Sequence, residues 1–262
     1  LAVAREMLDG LRGTRPPGND ELLHTFSNYA FLLFKAGKVQ EAEQLQRECL
    51  AECEKHLTTT HPYTILVMNN LATSLRSLNR PEEAEPFMKQ VAVASKQVNG
   101  PAHPDTLAYQ GNYAGLLREM GRLDEAQKFL EDAWQAAQKK KLKHPIVLKL
   151  LDGLASLAAE RGMLEPATVY AQELLQGVQA QLESNHQMQA MVRATYGHVL
   201  VLKKDHAQAV KMLEEAVRLA EPHGAALGNI RSQAIKDLVA SYEAMGKSTE
   251  VEAIKSKWGK KE

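Results

Sequence analysis

The chain has 262 residues, with 44% hydrophobic and 24% charged side chains, ordinary globular usage that argues against disorder. Its 32 Lys and Arg cancel its 32 Asp and Glu, and aromatic residues are only 5%, so neither the basic face nor the stacking rings of a nucleic-acid binder stand out. The longest apolar run, residues 29–34, is far too short to cross a bilayer, and Arg5, Glu6 and Asp9 break up any apolar core of a secretory signal. Cys49 and Cys53 are four apart, the wrong spacing for a CxxC redox or zinc motif, and no glycosylation sequon is present. The expectation is two reduced, buried thiols in the cytoplasm or another reducing compartment such as an organelle matrix, with no secretion and no membrane insertion.

Taken from the N-terminus, residues 1–12 predict a helix, and residues 13–19, with Pro16, Pro17 and Gly18, predict a loop. From there one pattern recurs. NYAFLLFKAGKVQEAE starts at Asn28, NLATSLRSLNRPEEAE at Asn70 and NYAGLLREMGRLDEAQ at Asn112, each 42 residues after the last. Weaker copies start at Gly153, Thr195 and Asp237.

Two columns of small residues run through the copies: Ala30, Ala72, Ala114, Ala155, Gly197, then Val239, and Ala42, Ala84, Ala126, Ala167, Ala209, then Val251. Between them lies a turn column of Gly37, Asn79, Gly121, Gly162, Lys204 and Gly246. Glycine and asparagine tolerate the left-handed conformation that ends a helix, so each repeat reads as helix A, a break, and helix B. The small residues mark where the two helices cross closely.

Helix starts are marked by His61-Pro62, His103-Pro104 and His144-Pro145, with His186 alone at the fourth site. Equivalent positions in stacked repeats lie roughly 10 Å apart, so these histidines cannot share a metal ion. Pro86 falls inside the helix opened by Pro81 and is expected to bend it or delay its regular start. One period back from Ala42 lands just before Leu1. Residues 1–12 therefore match a helix B without its partner, the remnant of an earlier repeat, and the natural chain is expected to extend N-terminally. At the other end Val251, Ile254 and Trp258 form a closing apolar stripe before the polar tail 259–262.

The paired alanine columns and the Glu-Ala step after the turn resemble the tetratricopeptide repeat. The 42-residue period, longer than the family's usual 34, with the start His103-Pro104-Asp105-Thr106 and the stretch Asn69-Asn70-Leu71-Ala72, is similar to the repeats of kinesin light chains. The likeness is strongest in repeats 1 to 3. Later, Gly153 and Thr195 replace the asparagine, and Gln110 and Arg193 stand where a bulky apolar residue is usual.

The resemblance implies an all-α fold, a right-handed α-solenoid of stacked antiparallel helix pairs (a tetratricopeptide repeat superhelix). It would be one domain over 1–262, with repeats at about 20–60, 61–102, 103–143, 144–185, 186–227 and 228–262.

In such a stack the A helices line a concave groove. By resemblance one groove row is Asn28, Asn70, Asn112, Gly153 and Thr195, and a second is Phe34, Arg76, Arg118, Ala159 and Val201. Lys35, Asn69, Thr73, Lys149 and His198 complete the candidates. Asparagine amides can bond both C=O and N–H of an extended peptide, and Arg76 and Arg118 would favour carboxylates, so the implied partner is another protein offering an extended, somewhat acidic segment. In the opposing reading the asparagines bond across to the neighbouring repeat, the arginines pair with Glu119 or other acids, and the chain is a structural or assembly subunit held by convex and edge surfaces.

No HExxH, GxSxG or GxGxxG occurs. Gly246-Lys247-Ser248 lacks the upstream glycine and the strand context of a phosphate loop. Lys139, Lys140, Lys141 and Lys143 fall at a helix end, where cations suit the dipole. No catalysis, cofactor or metal is expected.

Overall fold

Histidine and glycine punctuate the chain. In the computed structural model, which describes residues 1–16, 19–183 and 186–258, His61, His103, His144 and His186 are each an N-cap. The Nδ1 atom of each accepts from the backbone N–H two residues on, at 3.2–3.3 Å. Asn19 takes that place in the first repeat, its Oδ1 accepting from Glu21 and Leu22. At the other punctuation mark, Gly37, Asn79, Gly121, Gly162, Lys204 and Gly246 all adopt positive φ, between 58° and 78°. The turn column therefore holds even where it carries lysine.

Thirteen α-helices and no strand are found among the described residues. The chain divides into two compact units, Leu1–Leu142 and Lys143–Glu262. The first contains α1 (Ala2–Thr14), α2 (Asp20–Lys35), α3 (Val39–His56), α4 (Pro62–Ser77), α5 (Pro81–Asn99), α6 (Pro104–Glu119) and α7 (Leu123–Lys139). Here α2–α3, α4–α5 and α6–α7 are the A–B pairs, each B packs on the next A, and α1 packs on α2. The second contains α8 (Pro145–Glu160), α9 (Leu164–Gln181), α10 (Gln187–Leu202), α11 (His206–Ala220), a 3-10 segment (Glu221–Leu227), α12 (Gly228–Ala244) and α13 (Ser248–Trp258). Its pairs are α8–α9, α10–α11 and α12–α13.

The small columns are the helix crossings. Ala42, Ala84, Ala126, Ala167 and Ala209 are each 0% exposed, and Ala30, Ala72, Ala114 and Ala155 at most 1%. Gly197 shows how tight such a crossing is: a Cβ there would lie 2.6 Å from Cγ of Leu213 on the paired helix. Around them Leu71, Leu75, Leu107, Leu116, Leu117, Leu148 and Leu150 are fully buried, each contributing about 1.5–3 kcal/mol relative to exposure.

Two sequence expectations change, and the fate of the bulky apolar column becomes clear. The first helix runs on through Gly13 to Thr14 instead of yielding to a loop at residue 13, since Thr14 Oγ1 donates to Gly10 O at 2.9 Å and Arg15 N–H to Leu11 O. Pro17 and Gly18 of that loop, and the tail 259–262, lie outside the described residues. Pro86 does not delay α5, which is helical from Pro81 onward. Gln110 and Arg193 do not leave the bulky apolar column but are buried within it, at 4% and 8% exposure.

Candidate interaction surface

The A helices carry every nominated residue, and several of their side chains bond across to the next A helix. Asn112 Nδ2 donates to Asn69 Oδ1 at 3.2 Å, joining α6 to α4. Arg76 forms a two-pronged pair with Glu119, its Nε 2.6 Å from Oε2 and its Nη2 on Oε1. The Arg76 guanidinium lies over Gly115, where an added Cβ would meet Nη2 at 3.5 Å, an ordinary contact. In the second unit Thr195 Oγ1 donates to Asp152 at 2.8 Å, and His198 Nδ1 lies 2.8 Å from Asp237 Oδ2.

Three of these bonds span 43 residues, one repeat plus one. That offset follows from the stacking, which brings a residue on one A helix beside the next position along on its neighbour. The sequence signal was a pair of complementary side chains at that offset. Glu119 is the carboxylate named in the opposing reading, and for Arg76 and Asn112 that reading holds; Asp152 and Asp237 were not named as partners.

By exposure the nominated residues divide differently: Asn28, Lys35, Asn112, Arg118 and Lys149 are exposed, while Asn69, Asn70, Thr73, Arg76 and His198 are half-buried. Thr73 donates to Asn69 O within its own helix, at 2.8 Å. Lys35 holds its ammonium 5.5 Å from the Phe31 ring centroid. In the second groove row Phe34 and Val201 are half-buried and Ala159 is buried.

Electrostatics separate the two units. The bond to Asp237 raises the His198 pKa above its ordinary value, against the opposing effect of burial. Gln233 Nε2 also donates to Asp237, at 3.0 Å, so this largely buried carboxylate is satisfied from two sides. The cysteines are remote from all this. Both are buried on α3, and the Cys49 thiol is pushed well above the usual range by its hydrogen bond with Cys53 and by burial, which leaves it unreactive.

Apolar exposure has a different distribution. Leu1, Val3 and Met7 on or beside α1 are 48%, 69% and 55% exposed, and Phe31 and Leu32 on α2 are 51% and 42%. No large apolar side chain on α4 or α6 is comparably open. No helix among the described residues is long and apolar enough to cross a membrane, and no group of three or more His, Cys, Asp or Glu among them could hold a metal ion.

Comparison with known proteins agrees with the repeat architecture. Family models described as tetratricopeptide repeat match residues 21–92 and 192–223. No curated protein matches the sequence. Among solved structures, the nearly identical TPR-like repeats of a Podosopora anserina kinesin light chain superpose with a TM-score of 0.67 at 23% identity, over 77% of this chain and 95% of that one. BtubC (BKLC) from P. vanneervenii gives 0.73 at 17%, over 86% and 91%. The quorum sensor NprR from B. thuringiensis gives 0.72 at 14%, over 97% and 68%. The chain thus carries tetratricopeptide repeats over residues 21–92 and 192–223, and its 42-residue repeats resemble in fold those of kinesin light chains.

Proposed function

We propose that the chain is a non-catalytic scaffold that holds a partner protein through the outer face of its first unit, where the helix B α5 leaves apolar side chains open. The observation that carries this reading is the exposure of Val93 and Val98 on α5, at 57% and 47%. Apolar surface of this kind on a folded chain marks an interaction site. The nominated polar residues of α4 and α6 support it from the other side. Asn69, Asn112 and Arg76 already have partners within the stack, and these bonds align the repeats. Buried free thiols suit a reducing compartment, the cytoplasm or an organelle matrix.

A second reading keeps the A-helix face as a groove for an extended peptide. It is favoured by Asn28 and Asn70, which keep open or half-open amides on successive A helices. An acidic peptide would have to displace Glu119 from Arg76, in competition with a carboxylate held permanently at close range. Acidity is therefore the weaker part of that reading.

One affinity experiment separates the two. Partner retention is compared between wild type, a Val93→Asp/Val98→Asp variant and an Arg76→Glu/Arg118→Glu variant. Loss of retention in the first variant alone is the expected result. Loss in the second alone would replace the outer face with the groove.

A further inference from the structure

We propose that the outer face of α5 receives one acidic amphipathic helix from a partner protein. That helix carries two carboxylates seven positions apart with an apolar side chain between them. The proposal rests on the outer-face reading above and adds the fold and charge of the occupant.

The face lies in the interior of the first unit, where α5 packs on both α4 and α6. Between α5 and the loop joining α3 to α4 a cavity of about 400 Å3 opens, with Thr59 and Thr60 on the loop side and Pro86, Val93 and Ala94 as its apolar wall. Val93 is 57% exposed and Pro86 is exposed beside it. Lys89 brings a positive charge to the cavity, and no carboxylate among the described residues lines it.

Charge sets this face apart from its counterparts. Residues 86–99 contain no Asp or Glu, whereas the equivalent stretches of α3, α7, α9 and α11 all do. In register with Lys89 and Lys96, α3 has Arg47 and Glu54, and α7 has Glu131 and Gln138. Val93 stands where α7, α9 and α11 carry Gln135, Gln176 and Arg218. Arg47 is engaged by Glu43 and Glu83. Neither Lys89 nor Lys96 forms a salt bridge or a side-chain hydrogen bond among the described residues. Glu125, which senses the charge of Lys89, is held at both oxygens by Arg122, at 2.6 and 2.7 Å. Two unspent cations flanking an open apolar side chain are complementary to carboxylates flanking an apolar one.

The spacing selects a helix. Lys89, Val93 and Lys96 stand at i, i+4 and i+7, one stripe along α5, with the two lysines about 10 Å apart along the axis. A helix laid along that stripe repeats the spacing, so its first and eighth residues meet the lysines and its fourth or fifth meets Val93. A strand rises about 3.3 Å per residue and turns alternate side chains away, so residues on its one face fall about 7 or 13 Å apart and miss the pair. Phe87, the one aromatic ring of α5, is half-buried, so a nucleic acid finds no stacking platform here. Two lysines are also fewer than the about four to eight that attach a protein to an anionic membrane.

The test selects a displayed library of 16-residue helical peptides, randomised along one face, on the full chain at low ionic strength. Enriched sequences are expected to carry Asp or Glu seven apart about a large apolar residue. A synthetic copy of the leading sequence should bind Lys89→Glu/Lys96→Glu about tenfold more weakly and Val93→Asp not at all, with the helical circular dichroism of both variants unchanged. Reselection on the charge-reversed chain should replace the carboxylates with lysine or arginine. Peptides that need Val93 but ignore both lysines would overturn the carboxylate assignment and leave the outer-face reading intact. Peptides indifferent to all three positions, or no enrichment at all, would overturn the proposal, and the partner-retention comparison then judges the outer face by itself. Self-association of the chain that Lys89→Glu/Lys96→Glu abolishes would also overturn it, because a second copy would then cover the face.

Discussion

The two units solve one packing problem with different chemistry. In the first, successive A helices are joined by an amide pair, Asn69 with Asn112, and a guanidinium–carboxylate fork, Arg76 with Glu119. In the second, a hydroxyl meets a carboxylate, Thr195 with Asp152, and an imidazole meets a carboxylate, His198 with Asp237. The crossing column changes too, from Ala72 and Ala114 to Gly197, with Leu213 moved into the space. Even the apolar column is breached in both, by Gln110 in α6 and Arg193 in α10. What the stack requires is a side chain of suitable size and a bond across at the right offset. The choice of groups is left to each unit, and only the second joins its A helices through an imidazole.

The comparison can be broken most severely at the crossings. Ala126→Leu should destabilise the first unit by about 3 kcal/mol through overpacking, and Gly197→Ala the second by about 1–2 kcal/mol as Leu213 is displaced. Urea unfolding of each variant checks this, and trimming Leu213 to Ala should soften the Gly197→Ala defect without helping Ala126→Leu.

The polar intrusions should respond with opposite signs. Arg193 donates to Gln189 O and Oε1 and pairs with Glu215 at 2.9 Å, whereas Gln110 Oε1 is buried with no partner. Gln110→Met is therefore expected to stabilise by about 1 kcal/mol, and Arg193→Ala to destabilise by about 2–3 kcal/mol, chiefly through the cavity and the lost hydrogen bonds to Gln189, the pair with half-exposed Glu215 adding less. Equal signs in denaturation would show that the two slots are not equivalent in packing.

The turn column offers a smaller, paired test. Lys204 (φ 62°) and Asn79 (φ 58°) occupy left-handed positions that glycine fills in the other four repeats. Lys204→Gly should raise stability by about 0.5–1 kcal/mol, and Asn79→Gly by less, because asparagine already tolerates this conformation. Shifts in thermal midpoint give the ranking.

The smallest expected effect is the pH dependence. The His198 pKa is raised in the folded chain by its bond to Asp237, so the folded form holds the proton more tightly than the unfolded form does. The stabilisation is complete below the ordinary histidine value of about 6.5 and is lost as pH rises through the raised value. With the His198 side chain 43% exposed, solvent screening keeps this below about 1 kcal/mol. Hydrogen exchange of α10 amides between pH 6 and 8 should register the loss, and His198→Gln should flatten it. The amide pair and guanidinium fork of the first unit carry no group that titrates in that range.

The repeat was legible in the sequence because its causes are local or periodic. Helix breaks follow from which residues tolerate positive φ, and helix starts follow from His-Pro, where proline fits the first turn and Nδ1 caps it. The alanine columns announce crossings because only a small side chain lets two helices approach, and all of these recur every 42 residues. Even Lys204 was placed correctly by its column alone.

Only the tertiary structure decided which A-helix polar groups are spent inside the stack. Asn28 and Asn112 share a column and a residue type, yet Asn112 bonds Asn69 on α4 while Asn28 is open to solvent. Arg76 and Lys35 are both cations of the first unit, but a carboxylate reaches only Arg76 across a 43-residue offset set by the stacking. The exposure of Leu32 was hidden for the same reason. A column identifies what a residue resembles, and whether the surface it faces is covered depends on which helices stand beside it.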